Sequence, residues 1–277
     1  RGRFRLVAPS VGRSRLLPAA WSSSRIHRMA ADQCWHQSRM SRYKDVAGAL
    51  KDKTMDTEER LGSAEEWGPS AAIAFVDLSG FSSITDVFGD EAALAILIAF
   101  EQHVTEALEH GGRLVKWIGD EAMLAFPNPD VALRALADLL PKCRADPRLP
   151  LVRAGVHYGP VIRRDADFFG ATVNIASRIV ASTSAGRLLA TQPIAELAEA
   201  KGISVEPLGQ ASLRSVATRV PLFSIQMTDA VDVAWIDPVC RMHAPYSAYA
   251  RSHPPVHWFC STRCEEAFTR SPETYQR

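Results

Sequence analysis

The chain has 277 residues, a formal net charge of +1, 47% hydrophobic residues and 23% charged residues. This is the composition of a globular protein, and it excludes a wholly disordered chain. A net charge near zero also argues against a general nucleic-acid binder, which is usually basic, although residues 1–44 carry ten basic side chains and one acidic side chain.

Residues 1–43 show no clear periodicity. We interpret them as a disordered or non-native extension, with a targeting segment as the alternative. Residues 44–61 have the thin apolar stripe of a polar helix, which would belong to a linker over residues 44–69.

From residue 71 onward, apolar runs of strand length alternate with helical periodicity. The pattern predicts an α/β or α+β domain over residues 70–227. Its strands are predicted at residues 71–77, 113–118, 122–126, 151–157, 187–191, 203–207 and 220–226, and its helices at residues 91–110, 129–140, 173–181 and 193–200.

Residues 228–235 are predicted to form a linker, and residues 236–277 a separate small unit. A unit of this size needs a stabilising cross-link, such as a disulfide or a bound metal. The three cysteines Cys240, Cys260 and Cys264 can supply one. Their clustering favours metal or redox chemistry over a disulfide framework, and with it a cytoplasmic location. The longest apolar run, residues 92–100, has nine residues, whereas a membrane span needs about 20, so no membrane span is expected.

Two aspartates occupy positions that suit a cation site. Asp77 ends the first buried strand, and Asp120 lies in the turn of the hairpin that follows the first long helix. Each alone would be read as a capping or turn residue. If the hairpin lies beside the first strand, the two carboxylates meet, and two carboxylates with phosphate oxygens are the ligands that Mg²⁺ needs for phosphoryl chemistry.

An amide and a guanidinium are predicted to share one helix face. Asn174 and Arg178 are four residues apart, which is the spacing of helical neighbours. This pair suits a phosphate or an oxyanion, since Arg donates hydrogen bonds in a planar fork. The alternative is a solvated polar face.

Four segments in the same order resemble the class III nucleotidyl cyclase catalytic domain. They are FVDLSGF at 75–81, KWIGD at 116–120, RAGVHYG at 153–159 and FGATVNIASR at 169–178. The resemblance implies a ferredoxin-like α/β core and a dimer with its active sites at the subunit interface. It also implies conversion of a nucleoside triphosphate to a 3′,5′-cyclic monophosphate and pyrophosphate.

By this resemblance, Asp77 and Asp120 correspond to the two aspartates that bind Mg²⁺ or Mn²⁺, and Lys116 and Asp167 to the pair that contacts the purine. An Asp can accept a hydrogen bond from the adenine N6 amino group, and a Lys can donate to N1, whereas guanine reverses this edge. We therefore expect ATP to be the substrate; a guanylate cyclase is the alternative within the same class.

The remaining roles implied by the resemblance concern the ribose and the phosphates. Asn174 and Arg178 would orient the ribose and stabilise the transition state, and Arg153 would contact the triphosphate. Arg214 lies where the family often has a phosphate-binding lysine, and Ser215 lies where it often has glycine.

In this family one subunit supplies the metal-binding aspartates to an active site. The other subunit supplies the residues that contact the purine and the arginine that stabilises the transition state. A chain that holds both sets is expected to form a homodimer with two sites. The alternative from a different class is a non-catalytic protein that senses nucleotides or binds metal, but the complete set of catalytic residue types argues against it.

The C-terminal residues 236–277 resemble a YHS (TRASH-like) domain. The resemblance rests on the cysteine spacing and on the segment WFC at 258–260, while Arg241 replaces the usual glycine after the first cysteine. Three thiolates suit Zn²⁺ or Cu⁺, with His243, His257 or neither as a fourth ligand. The unit would either regulate the enzyme through its metal, or its metal would only stabilise the fold.

Overall fold

The computed structural model describes residues 67–245 and 256–275. The predictions for residues 1–66, including the helix at 44–61, lie outside the described residues.

The described strands are β1 (Ser70–Leu78), β2 (Arg113–Ile118), β3 (Glu121–Phe126), β4 (Val152–Pro160), β5 (Ile162–Arg164), β6 (Asp167–Phe169), β7 (Leu188–Ala190), β8 (Val205–Ala211) and β9 (Val220–Ile225). The described α-helices are α1 (Phe81–Phe88), α2 (Asp90–Ala107), α3 (Pro129–Ala145), α4 (Ala171–Ser182), α5 (Gln192–Ala200), α6 (Thr262–Arg270) and α7 (Pro272–Tyr275). Two short 3₁₀ helices lie at Leu108–His110 and Val233–Trp235.

Seven strands form one sheet in the order β2-β3-β1-β4-β7-β9-β8, and β5 and β6 form a separate hairpin. Within the large sheet, β4 and β7 are parallel and the other neighbouring pairs are antiparallel. This confirms the predicted mixed α/β class. Strand β1 lies between β3 and β4, inside the sheet. Its residues are buried along nearly the whole strand, as expected for an apolar strand that is covered on both faces.

The two faces of β1 pack against different helices, as the two-residue period of a strand requires. Val76 belongs to the larger core together with residues of α2 and α3. Phe75 belongs to a smaller cluster with Ala176 and Val180 of α4. Helix α4 therefore covers the face of the sheet that the odd-numbered residues of β1 occupy.

Helix α4 approaches β4 closely at one glycine. A β-carbon on Gly155 would stand 2.4 Å from the backbone nitrogen of Val180 and 3.0 Å from the carbonyl carbon of Ile179. These are backbone atoms of a helix and cannot move aside alone. The absence of a side chain at Gly155 thus sets the distance between α4 and the sheet.

Several features differ from the predicted elements, among them helices α6 and α7, which were not predicted, and β8, which continues to Ala211. Helix α1 and the β5–β6 hairpin were not predicted, because α1 buries only Ile84 and each strand of the hairpin has three residues. Helix α3 continues to Ala145 with Pro141 inside it, whereas the sequence predicted its end at residue 140. The buried residues Leu139 and Cys143 on either side of Pro141 hold the helix to the core beyond the proline.

The described part of the C-terminal segment packs on the same core as the sheet. Val239, Cys240, Met242, Cys264 and Phe268 belong to the larger apolar cluster. Helix α6 begins after Ser261, whose hydroxyl accepts a hydrogen bond from the backbone nitrogen of Cys264, as a helix N-cap does.

Among the described helices, none combines the length and the apolar character that crossing a bilayer requires.

We predict that Gly155→Ala lowers the free energy of unfolding by about 1–3 kcal/mol, because overpacking against a rigid helix forces a backbone shift. Urea denaturation measures the change. The matched control is Gly68→Ala, where a β-carbon meets nothing within 4 Å. If both variants unfold at the same urea concentration, the contact between α4 and β4 is not tight.

Candidate functional site

Asp77 lies near the end of β1, beside two other strands. Asp77 is only 7% exposed. The residues opposite it in the neighbouring strands are Glu121 of β3 and Arg153 of β4. The Nε of Arg153 donates a hydrogen bond to Oδ2 of Asp77 at 2.6 Å. A buried carboxylate needs such a partner, so β4 supplies the positive charge that balances Asp77.

Asp120 approaches Asp77 from the turn between β2 and β3. Burial and then the negative charge of Asp77 raise the pKa of Asp120 to about 6. As the sequence predicted, the β2–β3 hairpin lies beside β1.

Glu121 is a third carboxylate at this place, which the sequence analysis did not single out. Burial and then the charge of Asp77 raise the pKa of its side chain to about 7. The signal available in the sequence was its position directly after Asp120 at the start of β3. Only the register between β1 and β3 shows that it lies opposite Asp77.

Asp77, Asp120 and Glu121 therefore lie near the same end of the β1–β3 pair, together with Arg153. Burial and then the charge of Asp77 raise the pKa of Asp120 and of Glu121, although Arg153 acts in the opposite direction. Carboxylate oxygens are the ligands that hard divalent cations prefer, so Asp77 and Asp120 are of a type that fits Mg²⁺ or Mn²⁺.

Lys116 and Asp167 form an ion pair across 51 residues of sequence. The Nζ of Lys116 donates to Oδ2 of Asp167 at 2.6 Å, and the backbone nitrogen of Phe168 donates to Oδ1 at 2.8 Å. Although partial burial acts in the opposite direction, the hydrogen bond from Lys116 holds the pKa of Asp167 below its usual value. The pair presents a fixed donor and a fixed acceptor side by side.

Asn174 and Arg178 lie on the exposed side of α4. Arg214 is also exposed, in the segment between β8 and β9. None of the three makes a side-chain hydrogen bond or an ion pair with another described residue, so their polar groups face outward. Ser215 has a positive φ of 62°, the conformation that glycine adopts most readily.

The three C-terminal cysteines form one cluster. Sγ of Cys260 lies 3.3 Å from Sγ of Cys240 and 3.7 Å from Sγ of Cys264, and all three are free thiols. Sulfurs that share a tetrahedral zinc ion with bonds of about 2.3 Å stand about 3.8 Å apart. The cluster fits a thiophilic ion with only small adjustments.

Asp237 is the fourth member of this cluster among the described residues, and neither His243 nor His257 belongs to it. The carboxylate of Asp237 is fully buried and accepts hydrogen bonds from the backbone nitrogens of Val239, Cys240 and Cys260. It thereby ties together two loops that carry cysteines. Burial and then the charge of Cys260 raise the pKa of Asp237 to about 6.

The pKa values of the thiols in the cluster depend on one another. Hydrogen bonding with Cys240 and Cys260 lowers the pKa of Cys264 to about 6, whereas burial raises the pKa of Cys240. The surroundings of Cys264 thus favour its thiolate, the form that binds metal.

Comparison with known proteins identifies the sheet domain. A model of the adenylate and guanylate cyclase catalytic domain matches residues 65–227. An uncharacterised protein of Mycobacterium tuberculosis is 36% identical over 129 residues, which are 46% of this chain and 34% of that protein. The adenylate cyclase of Streptomyces coelicolor is 33% identical over 126 residues, which are 45% and 33% of the two chains. The matched region spans about a third of the length of these curated relatives.

Solved structures have the same fold. An adenylate cyclase of Trypanosoma brucei superposes with a TM-score of 0.52 at 18% identity, covering 58% of this chain and 90% of that chain. The guanylate cyclase domain of Catenaria anguillulae, solved in complex with GTP, superposes with a TM-score of 0.51 at 18% identity, covering 57% and 96%.

We predict that Asp120→Asn stabilises the cation-free protein at pH 8 by about 1 kcal/mol, because it removes a half-buried charge and its repulsion with Asp77. The native pKa of Asp120 is raised from 3.8 to about 6, so its unfavourable contribution grows as the pH rises through this range and disappears only as the pH falls below 3.8. Thermal unfolding without and with Mn²⁺ measures both effects.

The same variant should lose the stabilisation that Mn²⁺ gives the wild type. The control is Glu109→Gln at an exposed carboxylate. It should leave unchanged both the stability of the cation-free protein and the stabilisation that Mn²⁺ gives. Equal gains from Mn²⁺ in the wild type and in Asp120→Asn would contradict the assignment of a cation to Asp120.

Proposed function

Because the chain belongs to the adenylate and guanylate cyclase catalytic domain family, we propose that it converts ATP to 3′,5′-cyclic AMP and pyrophosphate. The observation that carries the catalytic assignment is the buried carboxylate of Asp77 at the end of β1, close enough to Asp120 for its charge to raise the pKa of Asp120. Burying a carboxylate beside a second one costs free energy, and a bound cation would offset that cost.

Asp77 and Asp120 would hold two Mg²⁺ or Mn²⁺ ions, with Glu121 close by. Bound there, such ions lower the pKa of the ribose 3′-hydroxyl and neutralise the triphosphate. The 3′-oxygen forms a bond to the α-phosphorus, the bond from that phosphorus to the β-phosphate bridging oxygen breaks, and pyrophosphate leaves in line.

The exposed side chains of α4 would act on the reacting groups. Asn174 would orient the ribose, and the guanidinium of Arg178 would meet the negative charge that develops on the α-phosphoryl oxygens. Loss of a preorganised donor of this kind costs on the order of 10²–10³ in rate. Arg153 and Arg214 would bind the β- and γ-phosphates, Arg153 from its place beside Asp77.

The pair of Lys116 and Asp167 supports ATP as the substrate over GTP. Their hydrogen bond keeps a donor and an acceptor adjacent, which matches the N1 acceptor and the N6 donor of adenine. Guanine would place its O6 acceptor against the carboxylate, and the unpaired groups would cost binding energy.

The active form would be a homodimer, because the chain contains both the metal-binding aspartates and the set on α4. Exposed apolar side chains support such an interface: Ile162 is 66% exposed and its partner across the β5–β6 hairpin, Phe169, is 45% exposed. Apolar side chains that neighbour each other at a surface mark an interaction site.

The C-terminal residues 236–277 would form a YHS domain that binds Zn²⁺ or Cu⁺ through Cys240, Cys260 and Cys264 and regulates the cyclase. The cluster of free thiols within 3.7 Å of Cys260 supports this role. Both ATP and reduced thiols are supplied in the cytoplasm, where we place the protein.

The full chain with Mn²⁺ is expected to form cyclic AMP from ATP and little cyclic GMP from GTP. Asp167→Ala should lower kcat/KM for ATP by about 10–10²-fold and reduce the preference over GTP, because it removes the acceptor for adenine N6. Chromatographic detection of both cyclic nucleotides measures the result.

The matched control is Asp165→Asn, two residues away on an exposed turn, which should keep the wild-type preference. No product from either nucleotide, from protein that is folded, would instead support a nucleotide-sensing or metal-binding protein. Cyclic GMP as the main product would favour a guanylate cyclase.

Complementation tests the shared site. Asp120→Asn and Arg178→Ala should each be inactive, but a mixture of the two proteins should recover about a quarter of the wild-type activity, since half of the dimers are mixed and each has one intact site. Activity of the mixture equal to that of the separate variants would mean that both residues act within one subunit.

A further inference from the structure

The cysteine cluster lies directly behind the loop that follows Asp77. A β-carbon on Gly80 would stand 3.2 Å from the carbonyl carbon of Cys240 and 2.9 Å from Cγ of Arg241. Gly80 has a φ of +79° and begins the turn into α1. The peptide between Cys240 and Arg241 thus touches the backbone three residues after the metal-binding aspartate.

Two backbone hydrogen bonds continue this contact. The nitrogen of Leu151 donates to the carbonyl oxygen of Arg241 at 3.0 Å, and the nitrogen of Ser79 donates to the carbonyl oxygen of Leu151 at 3.0 Å. Ser79 is two residues after Asp77, and Leu151 is two residues before Arg153. These two hydrogen bonds therefore connect the Cys240–Arg241 turn to the segments that carry Asp77 and Arg153, which form an ion pair.

The position of Arg241 depends on the cluster. Its backbone nitrogen donates to the carbonyl oxygen of Asp237 at 3.0 Å, and its φ is 57°. Asp237 in turn binds the backbone of Cys240 and Cys260. A shift of the sulfur of Cys240 onto an ion would move this turn as a unit, because its backbone is held on both sides.

A second contact runs through helices. Helix α1, which starts directly after Gly80, packs against α6, which carries Cys264. The loop at residues 78–80 is therefore held by one cysteine-bearing element on each side.

We propose that a thiophilic ion bound by Cys240, Cys260 and Cys264 fixes the loop after Asp77 and thereby tightens the binding of the catalytic cation. This inference rests on the proposed catalytic role of Asp77, and it places the regulation inside one subunit rather than at the dimer interface. The two ions bind cooperatively, because the first ion to bind orders the loop that the second one needs.

The experiment measures each ion's affinity in the presence of the other, on the full chain. Electron paramagnetic resonance of free Mn²⁺ gives its dissociation constant with and without one equivalent of Zn²⁺, and competition with a chelator gives the Zn²⁺ constant with and without Mn²⁺. We expect both constants to fall by the same factor, on the order of 10, since coupling between two sites is reciprocal. Hydrogen exchange at the amides of Ser79 and Leu151 should slow when Zn²⁺ is added.

Three variants complete the test. Cys260→Ser should abolish the effect of Zn²⁺ on Mn²⁺ binding, whereas Cys143→Ala, at a buried cysteine outside the cluster, should respond as the wild type does. Arg241→Gly keeps all three cysteines and suits the positive φ. It should bind Zn²⁺ as tightly as the wild type and keep the coupling, because the contacts between the cluster and the loop after Asp77 run through the backbone of residue 241.

Equal Mn²⁺ dissociation constants with and without Zn²⁺ would overturn the proposal, and so would coupling that persists in Cys260→Ser or is lost in Arg241→Gly. Formation of cyclic AMP is a separate readout. A protein that makes cyclic AMP without coupling would contradict only this inference, whereas a coupled protein that makes no cyclic nucleotide would contradict only the proposed function.

Discussion

The buried carboxylate of Asp77 at the end of the central strand, paired with Arg153, is the constraint on which the rest of this structure depends. Asp120 and Glu121 are half-buried beside it, and burial and then the charge of Asp77 raise the pKa of both side chains. Carboxylates in such a place carry a cost in desolvation and repulsion. Because β1 is held between β3 and β4 and buried along its length, Asp77 cannot relax into solvent.

The same sheet places groups that are distant in sequence. Lys116 and Asp167 meet because β2 lies at one edge of the sheet and the short β5–β6 hairpin lies near it. Asn174 and Arg178 are held above the face that Asp77 shares because α4 packs on β4 at Gly155. The positions of these backbone segments thus follow from the sheet and the helix packed on it, as the proposed catalytic role would require.

The C-terminal segment extends this arrangement. Its cysteines are part of the same apolar core as the sheet, and Asp237 links the two cysteine-bearing loops through three backbone nitrogens. The Cys240–Arg241 turn contacts Gly80, three residues after Asp77, which is why we propose that an ion bound by the cysteines would affect the loop beside the carboxylates.

The sequence by itself determined the order of most strands and helices, because their apolar periods are long and clear, and it located Asp77, Asp120 and the three cysteines by their place in those patterns. It could not reveal helix α1 or the β5–β6 hairpin, whose apolar signals are too short. Only the tertiary structure decided that Arg153 pairs with Asp77, that Glu121 faces it and that Asp237 joins the cysteines. Each of these depends on strand register or on backbone groups that converge from distant segments, and a one-residue change of register would turn every such side chain to the opposite face.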